Sequence, residues 1–139
     1  MEPINLYRMR RLIWIMERLE HRMRRERENT IRTGYAYKLP KDKRNRSPVE
    51  ESVVEMIDLE NTLSKVAEKL TGMQKELDPM IDKLDDPEGR MIIRLRYIKN
   101  YAPEDISRIV SLPRRMIYYI LGISENQLMQ IFPDRIEMK

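Results

Sequence analysis

The chain has 139 residues, 36% of them charged, a formal net charge of +4, a single histidine and no cysteine. That length makes one ordinary domain, or a small domain with an extended element, and the missing cysteines exclude a disulfide framework and thiolate metal sites. His21 alone supplies no imidazole cluster, so no metal and no cofactor are expected, and a reducing, cytoplasmic compartment fits the composition.

The first predicted element is a helix from Pro3, which suits the first helical position, to about Glu28. Its apolar run LIWIM, residues 12–16, is bounded by arginines and is too short for a membrane span or a signal segment. Met9, Leu12, Met16, Leu19 and Met23 follow at spacings of 3 and 4 and form a heptad seam. Residues 1–48 hold 14 basic against 6 acidic residues.

Residues 29–48 lose this periodicity. Gly34, Pro40, Pro48 and the run KLPKDKRNRSP predict a linker or flexible arm. Tyr35, Tyr37, Lys38, Lys41, Lys43, Arg44 and Arg46 suit either an arm that tracks phosphates or a connector without a partner.

A second long helix follows, in which Met56, Leu59, Leu63, Val66, Leu70, Met73, Leu77, Met80 and Leu84 again alternate by 3 and 4. Asp78-Pro79 predicts a kink rather than an end, because the seam keeps its phase across it. The segment 49–89 is acidic, with 12 acidic against 4 basic residues. Two seamed helices joined by a loop predict a long antiparallel, coiled-coil-like hairpin over residues 1–84. A stripe left uncovered in one chain recruits a second, so a homodimer is expected, with mutual coverage inside a monomer as the alternative.

Residues 85–139 form the last predicted segment, in which 90–139 hold 9 basic residues against 5 acidic ones. Asp86 is placed to cap a helix, with Pro87 at its first position and Glu88 near the positive end of its dipole. Met91, Leu95 and Ile98 are expected on its inner face. A short helix from Pro103 buries Ile106 and Val110, a turn follows at Ser111 and Leu112, and a helix from Pro113 buries Ile117 with Ile120 or Leu121. The spacing is that of a helix-turn-helix.

With those anchors assigned, Arg114, Arg115 and Tyr118 project from the first turns of the last helix, with Tyr119 at the margin. Arginines there reach guanine edges in a major groove, and phenols reach phosphate or thymine methyls. Arg90, Arg94, Arg96, Lys99 and Arg108 are expected to surround this face with phosphate-neutralising charge. No nucleophile-base pair, phosphate loop or metal spacing is found, so no enzyme and no small-molecule substrate are expected. Asp82, Asp85, Asp86 and Glu88 are read as helix-start chemistry rather than a cation site.

The run LDDPEGRMIIRLRYIKNYAPEDISRIVSLPRRMIYYIL resembles region four of the sigma-70 family of transcription factors. The whole chain resembles small phage and prophage proteins of Gram-positive bacteria related to the ArpU and RinA type of late-transcription activators. In these a long helix, a variable loop, a second long helix with a motif like VVEMIDLE and a sigma-like domain follow in this order. The resemblance implies a dimeric activator of phage genes in a bacterial host cell. It implies DNA contacts at Arg114, Arg115 and Tyr118 and leaves direct contact with RNA polymerase open. Departures from the pattern are Pro113 in place of a capping Ser or Thr, Ser111 in place of the turn glycine, and Tyr118 where a basic or polar residue is usual. Two other functions compete: a terminase-like packaging subunit, and a helical module that binds RNA polymerase or a host factor.

Overall fold

Asn5, not Pro3, opens the first helix. In the computed structural model, which describes residues 2–36 and 48–138, the Asn5 Oδ1 accepts from the Arg8 amide at 3.0 Å. This satisfies one of the donors a helix start leaves open. Ile4–Asn5 forms a short strand, β1, and Leu6–Ala36 forms α1. The helix runs through residues 29–36, which had been expected to begin the linker. One glycine near the end of a long, already propagating helix costs only about 1 kcal/mol and does not stop it. Residues 37–47, which carry most of the basic arm, lie outside the described residues.

Helix α2 spans Pro48–Ile81, with Pro48 at its first position and Glu50 and Glu51 in its first turn. It ends two residues after Pro79, so the expected kink is instead a terminus, and Leu84 of the seam falls in the following turn. The Met80 and Ile81 carbonyls accept from the Lys83 and Leu84 amides at 3.1 and 3.0 Å. The Asp78 carbonyl is taken by the Arg94 guanidinium at 3.3 Å.

Helices α3 (Pro87–Tyr97), α4 (Pro103–Val110) and α5 (Arg114–Ile131) follow, and β2 (Ile136–Glu137) closes the described chain. Strands β1 and β2 pair in parallel, Ile4 opposite Ile136 and Asn5 opposite Glu137. The fold is all-α apart from this two-residue ladder. Nothing in a two-residue strand distinguishes it in sequence from a helix flank.

The chain forms two compact units, residues 1–13 with 70–139, and residues 14–69. The division runs through both long helices rather than at the expected junction of 84 and 85. In the first unit Leu6, Met9, Leu77, Ile81, Ile92, Ile93, Tyr97, Ile106, Ile117 and Leu128 are fully buried. The ends of α1 and α2 therefore share one apolar core with α3, α4 and α5. In the second unit Met16, Leu19, Met56, Leu59, Leu63 and Val66 of the two seams are half-buried.

Candidate nucleic-acid interface

Helix α3 is the platform on which the last two helices rest. Asp86 caps it by accepting from the Glu88 amide at 3.2 Å, with Pro87 at the first position, as its sequence predicts. Its inner face, however, carries Ile92, Ile93 and Tyr97, while Met91 is exposed and Leu95 and Ile98 are half-buried. The phase is set by a close approach to α5. A side chain added at Gly89 would begin 2.8 Å from the Ser124 Oγ, and the buried Tyr97 hydroxyl donates to the buried Glu125 carboxylate. Burial, then the charge of Glu125 and its hydrogen bond, push the Tyr97 phenol well above the ordinary tyrosine range. At its far end α3 is capped by Gln74 of α2. The Gln74 amide donates at 2.8 Å to the Tyr97 carbonyl and at 2.8 Å to the side chain of Asn100, which adopts a left-handed φ of 66°.

This platform consumes two of the cations expected to face a phosphate backbone. Arg94 donates to Asp78 at 2.9 Å and to Asp82 at 2.5 Å. Hydrogen bonds to Asp82 and then Asp78 raise its already high pKa, against a partial loss of hydration. Arg90 donates to the Leu84 carbonyl at 2.5 Å. Both guanidiniums tie α3 to the end of α2 and the turn after it, so neither is a free phosphate contact. The end of α2 and the turn after it supply the acceptors, and that proximity is invisible in a count of charges.

Helix α4 starts at Pro103 and buries Ile106, as expected, with Val110 half-buried. It ends at Ser111 in the left-handed conformation, φ 57° and ψ 42°. A serine there is strained by about 1 kcal/mol relative to glycine. The turn is held by other means: the Leu112 amide donates to the Ser107 carbonyl at 3.2 Å, and the Ser107 hydroxyl donates to the Leu112 carbonyl. Pro113 then restricts Leu112 to extended backbone and starts the next helix.

Helix α5 has no side-chain cap. The Pro113 carbonyl accepts from the Met116 and Ile117 amides at 2.9 and 3.2 Å. The Arg114 and Arg115 amides find no acceptor among the described residues, and they sit at the positive end of the helix dipole. Ile117, Ile120 and Leu121 are all buried, so both of the alternative anchors are used. Opposite them, Arg115, Tyr118 and Tyr119 lie on one outward face, with the two phenols 53% and 61% exposed. Gly122 completes the i, i+3, i+4, i+7 group, and a side chain added there would meet open space.

Arg114 is exposed but pairs with Glu104 of α4 at 3.5 Å, and Arg108 pairs with Asp105 at 3.3 Å. Such exposed pairs are worth little and yield to a polyanion. Arg96 donates to the Tyr101 carbonyl at 3.2 Å, and Lys99 is exposed at the end of α3. No described contact joins either of them to the α5 face. Among the described residues there is no cluster of His, Asp or Glu that could hold a metal ion. No described helix is long and apolar enough to cross a membrane.

A family model described as protein of unknown function DUF1492 matches residues 42–129, more than half of the chain, and the chain belongs to that family. No curated protein and no solved structure matches it.

Proposed function

We propose that this member of the family is a DNA-binding regulator of transcription that works as a homodimer. Helix α4, the turn at 111–113 and α5 act as a helix-turn-helix, with α5 as the recognition helix and the two long helices as the arms of a dimerising hairpin. One observation carries the reading: the first turns of α5 bury Ile117, Ile120 and Leu121 while turning Arg115, Tyr118 and Tyr119 outward around the bare backbone of Gly122. A groove reader needs its donors and flat apolar rings on the early turns of a helix, free of internal partners. Arg115 has neither an ion pair nor a side-chain hydrogen bond among the described residues. The unfilled amides of Arg114 and Arg115 suit a phosphate oxygen. Arg114 and Arg108, once released from Glu104 and Asp105, and Lys99 supply sequence-independent charge. A cytoplasmic site of action follows from this role, as does activation of phage genes from the resemblance to late-transcription activators.

Selection of bound duplexes from a random-sequence library at two salt concentrations tests the proposal. An enriched consensus that depends on Arg115 is expected. Enrichment of no sequence at either concentration would remove it.

Met116, Tyr119 and Ile123 favour a second reading. They form an exposed stripe along α5 with exposures of 39%, 61% and 49%, which suits a protein partner such as RNA polymerase or a host factor. A module of that kind binds DNA weakly and without the steep salt dependence of phosphate contacts.

A further inference from the structure

The long helices carry exposed features on faces that turn away from their heptad seams and reach the seam only at Leu19. At the start of α2, Val53, Val54 and Ile57 are 42%, 38% and 51% exposed. At 100° per residue they form a ridge on the face opposite Met56, Leu59, Leu63 and Val66. Asp58 lies along one side of this ridge and Glu60 along the other, with Glu51 and Glu55 beyond Asp58. All four are exposed and form no ion pair with a described residue. A bare apolar ridge flanked by uncompensated carboxylates is a costly surface to leave in water and a self-repelling one.

On α1 the charges are reversed. Trp14, Arg18, Arg22 and Arg25 follow at spacings of 4, 4 and 3 and form one stripe, bordered by Ile15 and Leu19 around a shallow open depression. Trp14 is 56% exposed, with the Arg18 guanidinium 4.9 Å from its ring centre. Among the described residues, Glu17 is the only acidic one beside this depression. Arginines alone would suit a nucleic acid, but the apolar floor of Trp14, Ile15 and Leu19 calls for an apolar ridge between acids. The start of α2 presents that chemistry, and within one chain Trp14, the three arginines and the α2 ridge stay exposed, with Ile15 and Leu19 half-buried.

We propose that the arginine and tryptophan stripe of α1 receives the acidic ridge Val53–Glu60 of α2 from a second copy of the chain. The symmetric contact is made in return. A two-fold axis makes this reciprocity automatic, since residue i meets j and j meets i. The burial of Trp14 and Ile57 supplies the attraction, and the arginine and carboxylate rows fix the register and exclude like faces. The inference rests on the two-copy part of the function proposed above and not on DNA recognition, and its test contains no DNA in the first step.

The full chain is studied with two charge-reversed variants. One carries Arg18→Glu, Arg22→Glu and Arg25→Glu. The other carries Glu55→Lys, Asp58→Lys and Glu60→Lys. Arg, Lys and Glu have similar helix propensities, so helicity measured by circular dichroism is expected to persist. By sedimentation equilibrium the wild type is expected at twice 16.9 kDa, and each variant alone at single mass, its dissociation constant raised on the order of 100-fold by opposed like charges. An equimolar mixture restores the double mass with one copy of each variant, because both contacts are then between opposite charges. Variants that remain dimeric alone overturn this interface while leaving a dimer formed through the seams. A monomeric wild type overturns both.

Trp14, the one tryptophan in the chain, gives a readout that needs no variant. Dilution of the wild type through dissociation is expected to shift its emission to the red. Emission that ignores dilution but responds to added duplex DNA would assign the stripe to nucleic acid and overturn the proposal.

Discussion

Helices α3 and α5 look alike in sequence, and their arginines have opposite fates. Each begins beside a proline, each carries arginines among apolar residues, three on α3 and two on α5, and each buries an isoleucine-rich face. On α3, Arg90 and Arg94 are drawn inward by the Leu84 carbonyl, Asp78 and Asp82. On α5, among the described residues, Arg115 meets no acceptor and Arg114 meets only Glu104, at the surface. What separates a structural cation from an available one is the set of acceptors that the chain folds against it. For α3 those come from the last turn of α2 and the residues after it.

The largest effect that would break this contrast lies beneath both helices. Tyr97→Phe removes the hydroxyl donor from buried Glu125 and is expected to lower the unfolding free energy by about 2–3 kcal/mol in urea titrations. The wild type should also show a specific pH response. The folded state holds the Tyr97 proton above the ordinary value of 10.0, at which an unfolded chain releases it. Stability from this proton is therefore complete below about pH 10 and falls as the pH rises beyond it. The phenylalanine variant should lose that part of the decline, and an unchanged alkaline slope would contradict the buried bond.

Arg94→Ala comes next, with an expected loss of about 1–2 kcal/mol. Its hydrogen bonds are to charged groups, but the Asp78 and Asp82 side chains are half or more exposed. Arg115→Ala should change stability by no more than about 0.5 kcal/mol in the same assay. If the two substitutions cost the same, the distinction between inward and outward arginines fails. Gly122→Ala is expected to act in the opposite direction and stabilise α5 by about 0.5–1 kcal/mol, because the new methyl group meets open space. A simultaneous loss of DNA affinity would show that a ligand approaches the bare backbone there.

Local chemistry was legible in the sequence, and long-range partnership was not. The Asp86-Pro87 helix start, the break between Val110 and Arg114, and the burial of Ile106 and Ile117 all depend on residues within a turn or two of one another. The inner face of α3 was misplaced onto Met91, Leu95 and Ile98 because MIIRLRYI is apolar on several sides. Only contacts from elsewhere, at Gly89 with Ser124 and Tyr97 with Glu125, choose among them. Gln74 reaches the end of α3 across 23 residues, and β1 meets β2 across the length of the chain. No periodicity encodes either one. Within the candidate interface, the outward positions of Arg115 and Tyr118 were readable from helical spacing, whereas Tyr119, expected at the margin, is the more exposed of the two phenols. The pairing of Arg114 with Glu104 and of Arg108 with Asp105 was not.

The most direct measurement is titration of a library-selected duplex with the wild type and with the Arg114→Ala, Arg115→Ala double variant at two salt concentrations. A recognition role for the start of α5 predicts an affinity loss on the order of tenfold or more. It also predicts a slope of log affinity against log salt reduced by about one for each phosphate contact removed. Equal affinities and equal slopes for the two proteins would contradict it.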